Sequence, residues 1–123
     1  MRYFKRLSLV LLTMMITLSS AFASDTAVIE IVTLKLKQGV SYSEFAPIDK
    51  AIEEQHVAKQ SGFISRESAA GENGEWLVIV HWESAKDADA SMASFMSDPA
   101  AQKFVDNIDG STMVMKRYSK TFN

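Results

Sequence analysis

Apolar positions along this chain follow two rhythms, one of period two and one near 3.6. Val28 to Leu36 (VIEIVTLKL) is rich in β-branched residues and stops at Lys37-Gln38-Gly39, which predicts a strand. Ser41-Tyr42-Ser43-Glu44 then sets Ser and Glu three apart, the spacing of a capping box that satisfies free N–H groups at a helix start. Phe45, Ile48, Ile52 and His56 follow at helical spacing, with Lys50, Glu53 and Glu54 on the other side. Pro47 lacks a backbone N–H, so the regular helix is expected to begin near it. Ser61-Gly62 closes it. Phe63 to Ala69 (FISRESA) reads as a weaker, more polar strand. Gly71-Glu72-Asn73-Gly74 is a turn, and Trp76 to Trp82 (WLVIVHW) is the strongest strand signal in the chain.

Ser84 and Asp87 cap a second helix whose apolar stripe is read as Ala88, Met92, Phe95 and Met96. Asp98-Pro99 starts a short helix through Ala101, Phe104, Val105 and Ile108, which Asp109-Gly110 is expected to stop. Met113 to Phe122 alternates as a last strand. The order β-α-β-β-α-β is the split pattern of the ferredoxin-like α+β fold, with a four-stranded antiparallel sheet and its helices on one face.

That arrangement leaves a problem. Trp76, Val78, Val80 and Trp82 point to one side of their strand, yet Leu77, Ile79 and His81 point to the other. The first strand is likewise apolar on both sides, with Ile29 and Ile31 opposite Val32, Leu34 and Leu36. Helices cover one face only, and an apolar face of this breadth is more than a monomer leaves in water. A homodimer through the sheet face is the expected cover.

The first 23 residues change the picture of compartment. Met1 to Arg6 carries three positive charges and no acid, Leu7 to Leu18 is an uncharged apolar run of 12 residues, and Ala21-Phe22-Ala23 ends in small residues. These are the three parts of a Sec-type signal peptide, since a spanning helix needs about 20 apolar residues. Cleavage is expected after Ala23, which leaves residues 24–123 as one exported domain, periplasmic or secreted. Without that segment ten of the 13 basic residues face all 15 acidic ones, a net charge of −5. Such a domain is suited neither to nucleic acid nor, once the signal is gone, to a membrane. Cys is absent, so the fold rests on its core alone.

Candidate chemistry is sparse, and no catalytic residue is assigned. His81 has the titration range of a general base, but alternation turns it away from Trp82 and towards the interface, where a structural role is preferred. His56 shares the inner face of its helix and can cap carbonyls there. Asp49 and Glu53, one turn apart, are spaced to share a proton or a metal. The charge-rich surroundings of Lys50, Glu54 and Gln55 favour a solvated face instead. Met92, Met96, Met113 and Met115 read as core fillers before copper ligands. Arg66 is a cation without an assigned partner. No phosphate loop, His/Cys metal spacing or Ser/His/Asp set is present, and no cofactor or metal is expected.

Gly62-Phe63-Ile64, the run Trp76 to Glu83 (WLVIVHWE) and Ser84-Ala85-Lys86-Asp87-Ala88 resemble the antibiotic biosynthesis monooxygenase-like family across Val28 to Phe122. The resemblance implies a dimeric α+β barrel. It implies one of two activities: oxidation of quinols or polyketide phenols by dioxygen without a cofactor, or haem degradation. The latter uses an Asn on the first strand, a Trp ending the third and a His on the second helical segment. Trp82 matches the Trp. The Asn position falls near Val32, with no Asn anywhere from Val28 to Lys37, and Ala100 to Phe104 holds no His, so haem degradation is not expected. The expected site is therefore a cleft between helices and sheet lined by Trp82, Val80, Phe45, Ile52 and Phe95, with Trp82, His81 and His56 as catalytic candidates. It would take a small aromatic compound, as a cofactor-independent monooxygenase or a binder. The rival expectation is a non-catalytic periplasmic homodimer with a stress-response or partner-binding role.

Overall fold

The alternation of Val28–Leu36 (β1) and Glu75–Trp82 (β3) places these strands at the centre of one sheet, paired antiparallel from Val28 opposite Trp82 to Lys35 opposite Glu75. The computed structural model describes residues 26–121; the expected signal segment and Phe122 lie outside them. Phe63–Ala70 (β2) pairs with β3, and Ile108–Ser119 (β4) pairs with β1, both antiparallel, so the order is β2-β3-β1-β4. The helices are α1 (Tyr42–Gln55), α2 (Ala85–Ser94) and α3 (Pro99–Asp106), with 3-10 turns at Val57–Lys59 and Phe95–Ser97. The architecture is the expected ferredoxin-like α+β arrangement, with the second helical segment divided in two. None of the described helices is long and apolar enough to cross a membrane.

Local signals account for the element starts. Ser41 and Glu44 form the full capping box, the Ser41 hydroxyl accepting from Glu44 N at 3.1 Å and Glu44 accepting from Ser41 N at 3.1 Å. The Ser41 hydroxyl also donates to Glu44 Oε1 at 2.8 Å, and this bond, together with that from Ser41 N, holds the Glu44 carboxyl below its usual range. Ser84 caps α2 through Asp87 N, and Asp98 caps α3 through Ala100 N with Pro99 in its first turn. In the β2–β3 turn Asn73 and Gly74 both have positive φ, 53° and 83°, which Asn-Gly adopts cheaply. The Tyr42 hydroxyl clamps this turn to α1, donating to Gly71 O at 3.0 Å and accepting from Gly74 N at 2.8 Å.

Gly62 ties α2 to the rest. Its φ is +79°, and a Cβ there would stand 2.1 Å from the Asp87 carboxylate, so only glycine fits.

The core lies between the helices and one face of the sheet. Val28, Val32, Leu34, Leu36, Trp76, Val78, Val80 and Trp82 meet Phe45, Ile52, Phe104 and Val105 there. Three expectations change at this level. The buried stripe of α2 is Ala85, Ala88 and Ser91, while Met92 is half-buried: the small side chains let the helix sit against the sheet. α3 ends at Asp106, not at Ile108, because Lys37 N donates to the Asn107 carbonyl at 2.9 Å and draws the chain into pairing with β1. Asp109 and Gly110 thus lie within β4, opposite the end of β1, where the register shifts between Thr33 and Lys35. Finally, Asp49 is buried and not solvated, since it lies four residues after Phe45 and three before Ile52 on the inward face of α1.

Candidate functional site

The residues expected to line a cleft all lie on the helix side of the sheet. Val80 is buried, Trp82, Phe45 and Ile52 fully so, and Phe95 is half-buried. Their aromatic contacts separate them. Trp82 meets Phe63 edge-on with ring centres 6.0 Å apart, whereas Phe45 packs against Trp76 and Phe104, each at 5.1 Å. Phe95 lies against Phe104 and His56. A groove of about 360 Å³ opens elsewhere, between α1 and α3, against Pro47, Ile48, Ala51, Ala100 and Lys103.

The two histidines are well apart. His56 is buried under α2, its Nε2 3.2 Å from the Ser91 carbonyl, so that nitrogen donates. His81 is half-buried on the opposite face of the sheet, between Ile29 and Ser65 in register, away from Trp82.

Two charged clusters occupy the helix side of the sheet, one near each tryptophan of β3. The first is closed. Arg66 grips Asp49 with two parallel bonds of 2.8 and 3.0 Å, and Ser68 Oγ donates to Asp49 at 2.6 Å. The Trp76 indole N–H adds a fourth donor to Asp49 at 3.3 Å, and Glu53 lies 3.3 Å from Arg66. Arg66 therefore meets an acid of its own chain.

The second cluster is open. Glu30 sits on β1 directly opposite Arg117 on β4, and Arg117 Nε donates to its Oε2 at 2.8 Å. Arg117 Nη1 reaches Asp89 on α2 at 2.6 Å. The third nitrogen, Nη2, is buried and finds no acceptor among the described residues, and the same holds for the indole N–H of Trp82. Trp82 lies diagonally across from Glu30, near enough for its N–H to lower the carboxyl's pKa, but no bond of acceptable geometry closes. Burial dominates at Glu30 and pushes its pKa above the ordinary value; Arg117 opposes this, and Asp89 adds slightly to it. A buried donor without a partner costs free energy, so two of them beside a buried carboxyl mark the place where the helix side of the sheet is ready for a polar group.

Glu30 and Arg117 were not among the expected site residues. The signal for Glu30 was present: it is the single acid in VIEIVTLKL and shares its parity with Val28 and Val32, so period two puts it inside. Arg117 could be joined to it only by register, because 87 positions separate them. Among the described residues no group of three His, Asp or Glu side chains is placed to hold a metal ion.

A four-stranded antiparallel sheet with its helical layers on one face defines a ferredoxin-like α+β domain. Solved structures share it. SnoaB, a cofactor-independent oxygenase from Streptomyces nogalater, matches with a TM-score of 0.64 and 14% identity over 80% of this chain and 96% of its own. A candidate antibiotic biosynthesis monooxygenase from Caulobacter crescentus CB15 matches at 0.65 and 15%, over 80% and 92%. PA3566 from Pseudomonas aeruginosa matches at 0.59 and 10%, over 82% and 100%. No protein-family model and no curated protein sequence matches the chain. At these identities the fold is what is shared.

Proposed function

We propose that this chain is an exported homodimer that binds a small aromatic compound beside Trp82 and oxidises it, as a phenol or quinol, with dioxygen and without a cofactor. One observation carries the reading. In a fold shared with a cofactor-independent oxygenase, Trp82 offers a buried aromatic wall and an unpaired N–H at one place. Such a pair suits a flat ligand that carries an oxygen. Oxygen uptake on a quinol panel tests it: turnover should vanish in Trp82→Ala and persist in Glu72→Gln, in the exposed turn.

Dimerisation is supported by the uncovered side of the sheet. Ile29, Ile31, Leu77 and Ile79 are only half-buried there, and Val114 and Tyr118 are each about half exposed, at 49%. A second copy laid on this face removes them from water, and a stable interface hides about 800 Å² per partner. Sedimentation should give a dimer at micromolar concentration, and Ile31→Glu should give a monomer. Export rests on the pattern of residues 1–23; intact mass of secreted protein should begin at Ser24.

A second reading has its own support. Trp82, Phe45 and Ile52 are all fully buried, and packing alone accounts for each of them. A non-catalytic periplasmic dimer with a stress-response or partner-binding role uses the same surfaces and consumes no oxygen.

A further inference from the structure

The groove between α1 and α3 belongs to neither charged cluster. It measures about 360 Å³, near the small end of ligand-sized pockets. Both helices lie on the helix side of the sheet, so a second copy laid on the other face leaves the groove open. Its two ends differ. Lys37 N donates to the Asn107 carbonyl, which brings the end of α3 beside the start of α1, so the two helices run in opposite directions. Glu44 and Lys103 therefore share one end, Ala51 and Ala100 share the other, and Pro47 and Ile48 lie between.

The charged end offers one group of each sign, and the two do not pair with each other. Lys103, in the last turn of α3, enters no ion pair among the described residues. Glu44 Oε1 accepts from the Ser41 N–H and hydroxyl, while Oε2 accepts no bond among the described residues. The Ser41 bonds hold this carboxyl below its usual range, so it is an anion throughout the neutral range. Pro47 adds a second acceptor. It sits inside α1, which begins at Tyr42, and donates nothing to the Ser43 carbonyl one turn back.

These groups select the ligand by charge. The acceptors on α1 suit an ammonium, and Lys103 suits a carboxylate. A ligand with a single charge meets a like charge beside its partner. A head that carries both charges on one carbon meets each with its opposite. An apolar chain then continues along Ile48, Ala51 and Ala100, out of water.

We propose that the α1–α3 groove binds a free apolar α-amino acid, its ammonium on Glu44 and the Ser43 carbonyl, its carboxylate on Lys103 and its side chain along Ile48, Ala51 and Ala100. Such a site is separate from the oxidation proposed above, since Trp82 does not line it.

The probe is L-norleucine, titrated by calorimetry into the purified protein. Hexanoate lacks its ammonium, pentylamine lacks its carboxylate and glycine lacks its chain, and each should bind at least about tenfold more weakly. Glu44→Gln keeps the capping box, which accepts Gln as well, and removes the charge. It should weaken norleucine about tenfold and erase most of the preference over hexanoate. Lys103→Met should weaken norleucine as much and erase most of the preference over pentylamine. Trp82→Phe should bind norleucine as wild type does. No norleucine binding, hexanoate or pentylamine binding as tightly as norleucine, unchanged norleucine affinity in either groove variant, or a loss of affinity in Trp82→Phe overturns the site. Tighter binding of norleucylglycine, whose charges stand a residue apart, also overturns it, the occupant then being a peptide end.

Discussion

Two clusters on one face of the same sheet use the same parts to opposite ends. Each has a buried arginine, two carboxylates and a tryptophan from β3. Around Asp49 no buried donor is left without a partner among the described residues: Arg66 binds with two prongs, Ser68 and Trp76 fill the remaining lone pairs, and Glu53 accepts a second bond from Arg66 Nη1. Around Glu30 the arginine binds each acid once, and two buried donors stay unpaired. A saturated network fastens α1 to β2 and rigidifies the core. An unsaturated one keeps polar capacity in reserve at a cost in stability, which is how a binding site differs from a structural ion pair with the same composition.

The comparison can be broken by removing one acid from each side. Asp49→Asn breaks the two-pronged pair and leaves buried Arg66 with only the longer contact to Glu53, and should cost about 3 kcal/mol in urea denaturation. Asp89→Asn, on the partly exposed arm of the open cluster, should cost about 1 kcal/mol or less. Equal losses would mean that the two networks are both structural.

Acid should act on the open side in a recognisable direction. Burial raises the Glu30 carboxyl, so the folded protein holds this proton more tightly than the unfolded chain does. Its contribution to stability is complete below the ordinary carboxyl value and is lost as pH rises through the raised one. The stability difference between wild type and Glu30→Gln should therefore move in favour of wild type as pH falls through that window. Denaturation of both proteins from neutral pH downward reads it, and a difference independent of pH would place Glu30 outside the buried cluster.

The finest distinction lies between the two indoles. Trp76→Phe removes a made bond and should cost about 1 kcal/mol beyond any change in packing. Trp82→Phe removes an unmade one and should be neutral or slightly stabilising in the free protein. Thermal melts of the pair would sharpen the contrast, and a larger loss at Trp82 would reverse it.

Much of the framework was readable one segment at a time. Ser41 and Glu44, Ser84 and Asp87, Asp98-Pro99 and Asn73-Gly74 act within a few residues of themselves, so their positions along the chain already carry their geometry. Asp49 shows where such reading slips. Its charged neighbours suggest a wet surface, and only its spacing from Phe45 and Ile52 tells of an inward face. The length of α3 slipped for a different reason, because pairing with β1 claimed Ile108 that helical spacing had assigned elsewhere. Trp82 was visible as a site candidate through alternation and resemblance. Its neighbours there were not, since Glu30 and Arg117 come together by register alone.

The chain by its own order of residues thus set the strands, the helix starts, the turn and the presence of an apolar surplus on the sheet. These depend on contacts a few positions long, for which periodicity and capping suffice. Pairing across 87 positions, the burial that lifts the Glu30 carboxyl and the choice of which donors go unanswered arose only when the strands met. Solvation is a property of the assembled surroundings, and no stretch of sequence contains those surroundings by itself.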